Sequence, residues 1–246
     1  MTARIDLEAY ADEVKSFIAL AEKFVPRLSV PALKRMEQDL RAGISRAGSS
    51  WTWSTAQAIA FDTSSQYDAP GKKPKAAKFT LGFECAFERP ANANVKKCGA
   101  VWGVLHSSTH IKLEREDNAC IELHFDYKNS GQWGPQLHMQ VSESQTGGLP
   151  IPRLVSPAFL PTDCADIMLC ELHPTEWEKH QRAGSSQYHV KVVRDGQEHR
   201  TFAYLNDIHS QWKSDGKRTR FSSLQTYSAG LAALPSHNGT PAKKGW

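Results

Sequence analysis

The chain is predicted to be an α+β protein: an N-terminal helical hairpin packed on an antiparallel β-sheet, with a further helix and a C-terminal hairpin. Three features carry this expectation. Apolar residues recur at helical spacing between Tyr10 and Ile44, apolar and polar residues alternate strictly through most of 79–142, and the gaps between the alternating runs hold short turn sequences rather than crossovers.

The first helix is expected over 6–25, where Tyr10, Val14, Phe17, Ala21 and Phe24 line one side and Glu8, Asp12, Glu13, Lys15 and Glu22 lie mostly elsewhere. Pro26 ends it. Ser29 and Pro31 then suit the cap and first turn of a second helix carrying Leu33, Met36, Leu40 and Ile44. An apolar stripe of this kind needs only burial to explain it, in a core or a dimer seam. Trp51 and Trp53 are two apart and share one face of a strand, which favours packing over base stacking.

Phe79, Leu81, Phe83, Cys85 and Phe87 alternate with polar or small residues as a half-buried strand. Residues 100–106, with Trp102 and Val104 on one face, form a second strand, and the runs 109–114, 120–128 and 136–142 complete five consecutive antiparallel strands. Asp117-Asn118 and Asn129-Ser130-Gly131 mark turns between the last three. The proline-punctuated stretch from Gly147 to Pro161 is an extended crossing. Thr162 with Asp163 and Asp166 behind it opens a helix that Pro174 breaks, and 176–182 is a short polar continuation in which Trp177 seals a core end. Tyr188–Val193 and Glu198–Tyr204, joined by Arg194-Asp195-Gly196, carry the strongest local hairpin signal, an Asp-Gly turn, and 206–212 forms a helix after them. Composition divides the chain into a helical hairpin (1–48), a basic linker (49–78), the sheet core (79–235) and a weakly ordered tail (236–246).

A length of 246 residues with 40% hydrophobic content supports a sizeable core, and a net charge of +4 is too mild to announce a nucleic-acid binder by itself. Five cysteines, an odd number with no C-x-x-C pair, point to reduced thiols in a cytoplasmic protein. No apolar run reaches the roughly 18–20 residues of a membrane span, and the acidic N-terminal segment lacks a signal-peptide core.

The candidate chemistry lies in the runs 109–114, 120–128 and 136–142. Alternation puts Ile111, Leu113, Ile121, Leu123, Phe125, Tyr127, Leu137, Met139 and Val141 on one face. His110, Lys112, Glu114, Glu122, His124, Asp126, His138 and Gln140 take the other. His124, Asp126 and His138 then become near neighbours able to hold a divalent metal, since two imidazoles and a carboxylate with open positions form a known catalytic ligand set. Glu122, Glu114 and His110 could serve as bases or supporting groups. The plainer reading is a solvated or partner-covered face, which antiparallel sheets present without any chemistry.

Lys72, Lys73, Lys75 and Lys78 make a basic loop suited to phosphate, and equally ordinary as a solvated surface. Lys217, Arg218 and Arg220 form a second basic segment. Arg182 with His189 and Arg194 with His199 match the Arg-x(4–6)-His spacing of helical ribonuclease dimers, but that chemistry needs a helix where a loop and a hairpin are expected. No phosphate-binding glycine loop, dinucleotide fingerprint or nucleophile elbow occurs.

The order His124-x-Asp126-Tyr127, Leu137-His138-x-Gln140-Val141, Ile151-Pro152-Arg153 and a helix ending His173-Pro174-x-x-Trp177 resembles uncharacterised bacterial proteins from mobile and phage-defence gene neighbourhoods. The resemblance covers about 79–180 and implies an accessory or effector role in a defence or toxin-like locus, with no catalytic residues to carry over.

Two functions follow. The preferred one is a cytoplasmic accessory protein whose polar sheet face and basic segments (Lys72, Lys73, Lys75, Lys217, Arg218, Arg220) engage nucleic acid or a partner subunit. The alternative is a metal-dependent phosphodiester hydrolase in which His124, Asp126 and His138 hold the ion, Glu122 serves as base and Arg153 neutralises the phosphate.

Overall fold

The computed structural model describes residues 3–46, 48–65, 75–89, 101–128, 137–142, 154–156 and 160–214. A short strand, β1 (Ala3–Asp6), leads into α1 (Leu7–Ala21), where the Asp6 carboxylate accepts a hydrogen bond from the Ala9 amide at 3.1 Å and caps the helix. The expected stripe is buried in full, and a 3-10 turn at Glu22–Phe24 completes it before Pro26. Helix α2 (Val30–Ile44) then runs with Pro31 in its first turn and buries Leu33, Met36, Leu40 and Ile44.

The sheet contains β2 (Ser50–Ser54), β3 (Ile59–Ala60), β4 (Ala77–Glu88), β5 (Val101–Arg115), β6 (Cys120–Lys128), β7 (Leu137–Val141) and β8 (Leu154–Val155), together with β1. The order is β2-β4-β5-β6-β7-β8, with β1 paired to β5 and β3 to β4, and every pairing is antiparallel. The segments that composition sets apart, 1–48 and 49–78, therefore both contribute strands to one sheet. Trp51 packs on Phe87 and Trp102 and is partly buried against the core, while Trp53 is a core residue that donates its indole N–H to the Met36 carbonyl at 3.0 Å, so both tryptophans serve packing.

Among the described residues of 79–142 there are four strands, not five. Ser107 and Ser108 continue a single 15-residue strand, because Ser107 is buried against Cys85 and Ser108 faces the polar side. A β-bulge where Ala86 pairs with His106 and Phe87 with Val104 shifts the phase of β5 by one residue. Trp102 and Val104 therefore join Thr109 and Ile111 on the covered face, where simple alternation would turn them outward.

Helix α3 (Pro161–Leu172) starts one residue earlier than expected, with the Asp163 carboxylate accepting from the Leu160 amide at 2.9 Å. Thr162 is buried under Tyr10 instead of capping the helix. Pro174 opens α4 (Pro174–Arg182), whose Trp177 is buried and donates to Asp166.

The expected C-terminal hairpin does not form: Gln187–Ser214 is one helix, α5, and Asp195-Gly196 lies inside it. Among its described side chains Val190, Val193 and Arg200 are buried, spaced three and seven apart on one stripe. The stripe meets α1 at Gly196, where an added Cβ would stand 2.7 Å from Glu13 Cδ and closer still to its carboxylate oxygen. Glycine is required here by the closeness of two helices, not by a turn. Arg200 then donates to both Glu13 oxygens at 2.6 and 2.7 Å and to Asp163 at 2.5 Å, tying α5 to α1 and α3. Burial pushes the Glu13 carboxyl up to about 7 despite the guanidinium beside it. Among the described residues no helix is long and apolar enough to cross a membrane.

Candidate functional site

The helices leave the outer face of β4–β7 to polar side chains, and strand register arranges those side chains in rows. Glu84, Ser108, Asp126 and His138 form one row, and Gly82, His110, His124 and Gln140 the next. Thr80, Lys112 and Glu122 form a third. His124, Asp126 and His138 thus share a face opposite Phe125 and Met139, as alternation requires.

The structure divides this expected ligand set. Asp126 Oδ2 lies 3.6 Å from His138 Nε2, with His138 only 2% exposed at the buried start of β7. His124 turns instead to His110, their ring centroids 4.2 Å apart and tilted by 52°. Among the described residues no group of three or more His, Cys, Asp or Glu side chains is placed to hold a metal ion.

Ser108 joins the two halves. It hydrogen-bonds the Asp126 carboxylate on one side and His110 Nε2, at 2.8 Å, on the other. An ionised carboxylate only accepts, so the Ser108 hydroxyl proton points to Asp126 and its oxygen accepts from His110 Nε2–H. This sets the tautomer of His110 and leaves the lone pair on Nδ1. Gly82, across from His110 on β4, has no side chain to crowd that imidazole. Burial, and then the second imidazole beside it, hold His110 below the ordinary histidine range. The arrangement can orient a neutral imidazole and stabilise the cation it becomes on taking a proton. Sequence alone gives His110 a supporting role and assigns Ser108 none. The signal was available, since 108, 110 and 112 share one phase.

Glu122 stands opposite Lys112, one row beyond His124. Lys112 pairs with Glu114 at 2.7 Å, and His106 with Glu84 at 2.8 Å, so the face alternates in charge. Lys75 is bound to Asp117 at 2.5 Å, a carboxylate that Arg115 and Lys75 hold well below its usual range. Lys72, Lys73, Arg153, Lys217, Arg218 and Arg220 lie outside the described residues.

Arg194 and His199 do fall on a helix, contrary to expectation. Five residues apart, however, they point about 140° from each other around the axis. Arg194 reaches Gln181 on α4, while His199 lines a cavity of about 260 Å³ between α1 and α5. Arg182 sits at the end of α4, paired with Glu178, and His189 belongs to α5. Neither Arg/His pair forms a site within the chain. A second cavity, of about 850 Å³, opens beside Lys23, His173 and Lys179, where His173 Nε2 donates to the Asp62 carbonyl at 3.2 Å.

Comparison with known proteins finds no matching family model, no matching curated protein and no matching solved structure.

Proposed function

We propose that the chain is a phosphodiester hydrolase, acting on nucleic acid in the cytoplasm, whose working surface is the outer face of the sheet. The relay His110–Ser108–Asp126–His138 is the observation that supports this reading. In it, His110 Nδ1 replaces Glu122 as the base. His110 takes a proton from water as the water oxygen bonds to phosphorus, and Ser108 and Asp126 stabilise the imidazolium that results. As the phosphorus–oxygen bond to the leaving group breaks, His124 donates a proton to the departing oxygen. Lys112, one row away, and the basic residues expected at 72, 73, 153 and 217–220 contact phosphate in this reading. The sequence resemblance adds a setting, an effector or accessory role in a defence locus.

The test is hydrolysis of bis(p-nitrophenyl) phosphate and of labelled single-stranded RNA and DNA. His110→Ala should lose roughly 100-fold or more, the usual range for a general base, with an unchanged melting curve. Ser108→Ala should lose less. Equal rates in the His110 variant would overturn the assignment.

A second reading, an accessory protein that binds nucleic acid or a partner subunit without chemistry, is favoured by the alternating charge of the same face, which suits a complementary surface. Binding with no hydrolysis of any of the three substrates would select it.

A further inference from the structure

The pair His110 and His124 has a geometry that the relay does not use. The two residues are directly opposed on adjacent antiparallel strands, and their rings stand 4.2 Å apart between centroids, tilted by 52°. Stacking alone does not require the open surroundings they have, with Gly82 on the far side of His110. Among the described residues, His124 makes no hydrogen bond through either ring nitrogen, and His110 uses only Nε2.

We propose that His110 and His124 form a two-imidazole site for a late first-row transition ion with tetragonal preference, Cu²⁺ first and Ni²⁺ next. Two nitrogen donors bound side by side fix the distance between their rings. With a metal–nitrogen bond of about 2.0 Å and a ring centroid about 1.1 Å behind the nitrogen, centroids lie about 4.4 Å apart at a right angle and about 5.1 Å apart at the tetrahedral angle. The observed 4.2 Å lies nearer the right-angle separation than the tetrahedral one. A tetrahedral zinc ion would need the rings to part by nearly another ångström.

The surroundings supply the outer support that metal-bound histidines usually have. Ser108 accepts from His110 Nε2 and donates to Asp126, which fixes the ring and leaves its Nδ1 lone pair for the ion. Water fills the remaining positions, since Asp126 is committed to Ser108 and His138. The ligands are therefore His110 and His124, not the His124, Asp126 and His138 set expected from spacing. The inference concerns the same face as the hydrolase reading but does not rest on it: an ion held here occupies the nitrogens that reading uses as base and acid and would inhibit hydrolysis, and because the ion alone is the probe, either reading can fail while the other stands.

The experiment is titration of the full chain with NiCl₂, read by melting temperature and by calorimetry. CuCl₂ is then added to a Cys98→Ser, Cys120→Ser, Cys170→Ser background, which removes the two exposed thiols among the described residues and Cys98 outside them, and read by electron paramagnetic resonance. The expected result is one equivalent bound, a tetragonal copper spectrum with two-nitrogen splitting, and weaker binding of Zn²⁺ than of Ni²⁺. His110→Ala and His124→Ala should each weaken Ni²⁺ at least tenfold and abolish the metal-dependent rise in melting temperature. His106→Ala, on the same face, should change neither. Binding that survives both single variants, or Zn²⁺ bound more tightly than Ni²⁺, would overturn the proposal. Because either histidine variant could alter folding, melting without metal is compared first. Should His124→Ala melt early, His124→Gln takes its place and must give the same loss.

Discussion

Gly196→Ala separates the observed helix from the hairpin that its sequence suggests. In an exposed helix this change stabilises by about 1 kcal/mol, because alanine has the better propensity. Here the new methyl would displace the Glu13 carboxylate, which Arg200 holds by two hydrogen bonds of 2.6 and 2.7 Å inside the core. At about pH 8, where Glu13 is ionised, breaking a buried ion pair by removing one partner costs about 3–5 kcal/mol, so the net loss there should be about 2–4 kcal/mol. At about 2–4 °C per kcal/mol for a chain of this size, the melting temperature should fall by roughly 5–15 °C. Urea denaturation followed by circular dichroism measures it. The informative control is the same change in a Glu13→Ala background, where no carboxylate remains to be displaced. There Gly196→Ala should be neutral or stabilising by about 1 kcal/mol. A turn glycine would behave otherwise, costing stability in both backgrounds because its backbone angle is at fault. An equal loss with and without Glu13 would refute the helical crossing.

Glu13 also predicts a pH dependence. Its folded carboxyl is raised above the ordinary 4.5 to about 7, first by burial. The stability it adds is therefore fully present below about 4.5 and lost as pH rises through about 7, because the folded state holds the extra proton in that window. The stability difference between the native chain and Glu13→Gln should fall across pH 4.5–7 and be flat outside it; an opposite slope in denaturant melts would refute the assignment. Trp53→Phe should cost about 0.5–1.5 kcal/mol from loss of the hydrogen bond to the Met36 carbonyl, which keeps its place in the helix ladder; an unchanged urea midpoint would count against that contact. If the segments at 72–75 and 217–220 contact phosphate, affinity for a DNA or RNA oligonucleotide should fall steeply with salt, and replacing Lys72 and Lys73 should flatten the slope. Lys75→Ala should change the slope less, because that lysine is already held by Asp117; salt-independent binding by filter assay would dismiss the phosphate contact.

Much of the fold was legible because periodicity reports burial directly. The stripes of α1 and α2, the alternation of β4, β6 and β7, and the common face of His124, Asp126 and His138 all follow from spacing, with no knowledge of partners. The helix break at Pro174 has an equally local cause, a ring that lacks an amide proton. What escaped had a cause distant in sequence. Ala3–Asp6 becomes a strand because β5 extends past β6 and offers it an edge at 101–104. The bulge at Leu105 turns Trp102 inward because the core on that side holds Trp51 and Phe87.

At α5, Asp195-Gly196 has local chemistry that favours a turn, and the buried stripe Val190, Val193, Arg200 ends in a charge that hydropathy counts as surface. Glu13 and Asp163, nearly 190 and 40 residues away, neutralise that charge and make it a core residue. The site divides in the same way. Alternation alone determined which side chains share the outer face. Only strand register decided which of them touch: it set Ser108 opposite Asp126 and His110 opposite His124, and so replaced one three-residue ligand set with a relay and a pair of imidazoles. Register depends on how neighbouring strands slide to bury their far faces, and that balance belongs to the whole sheet.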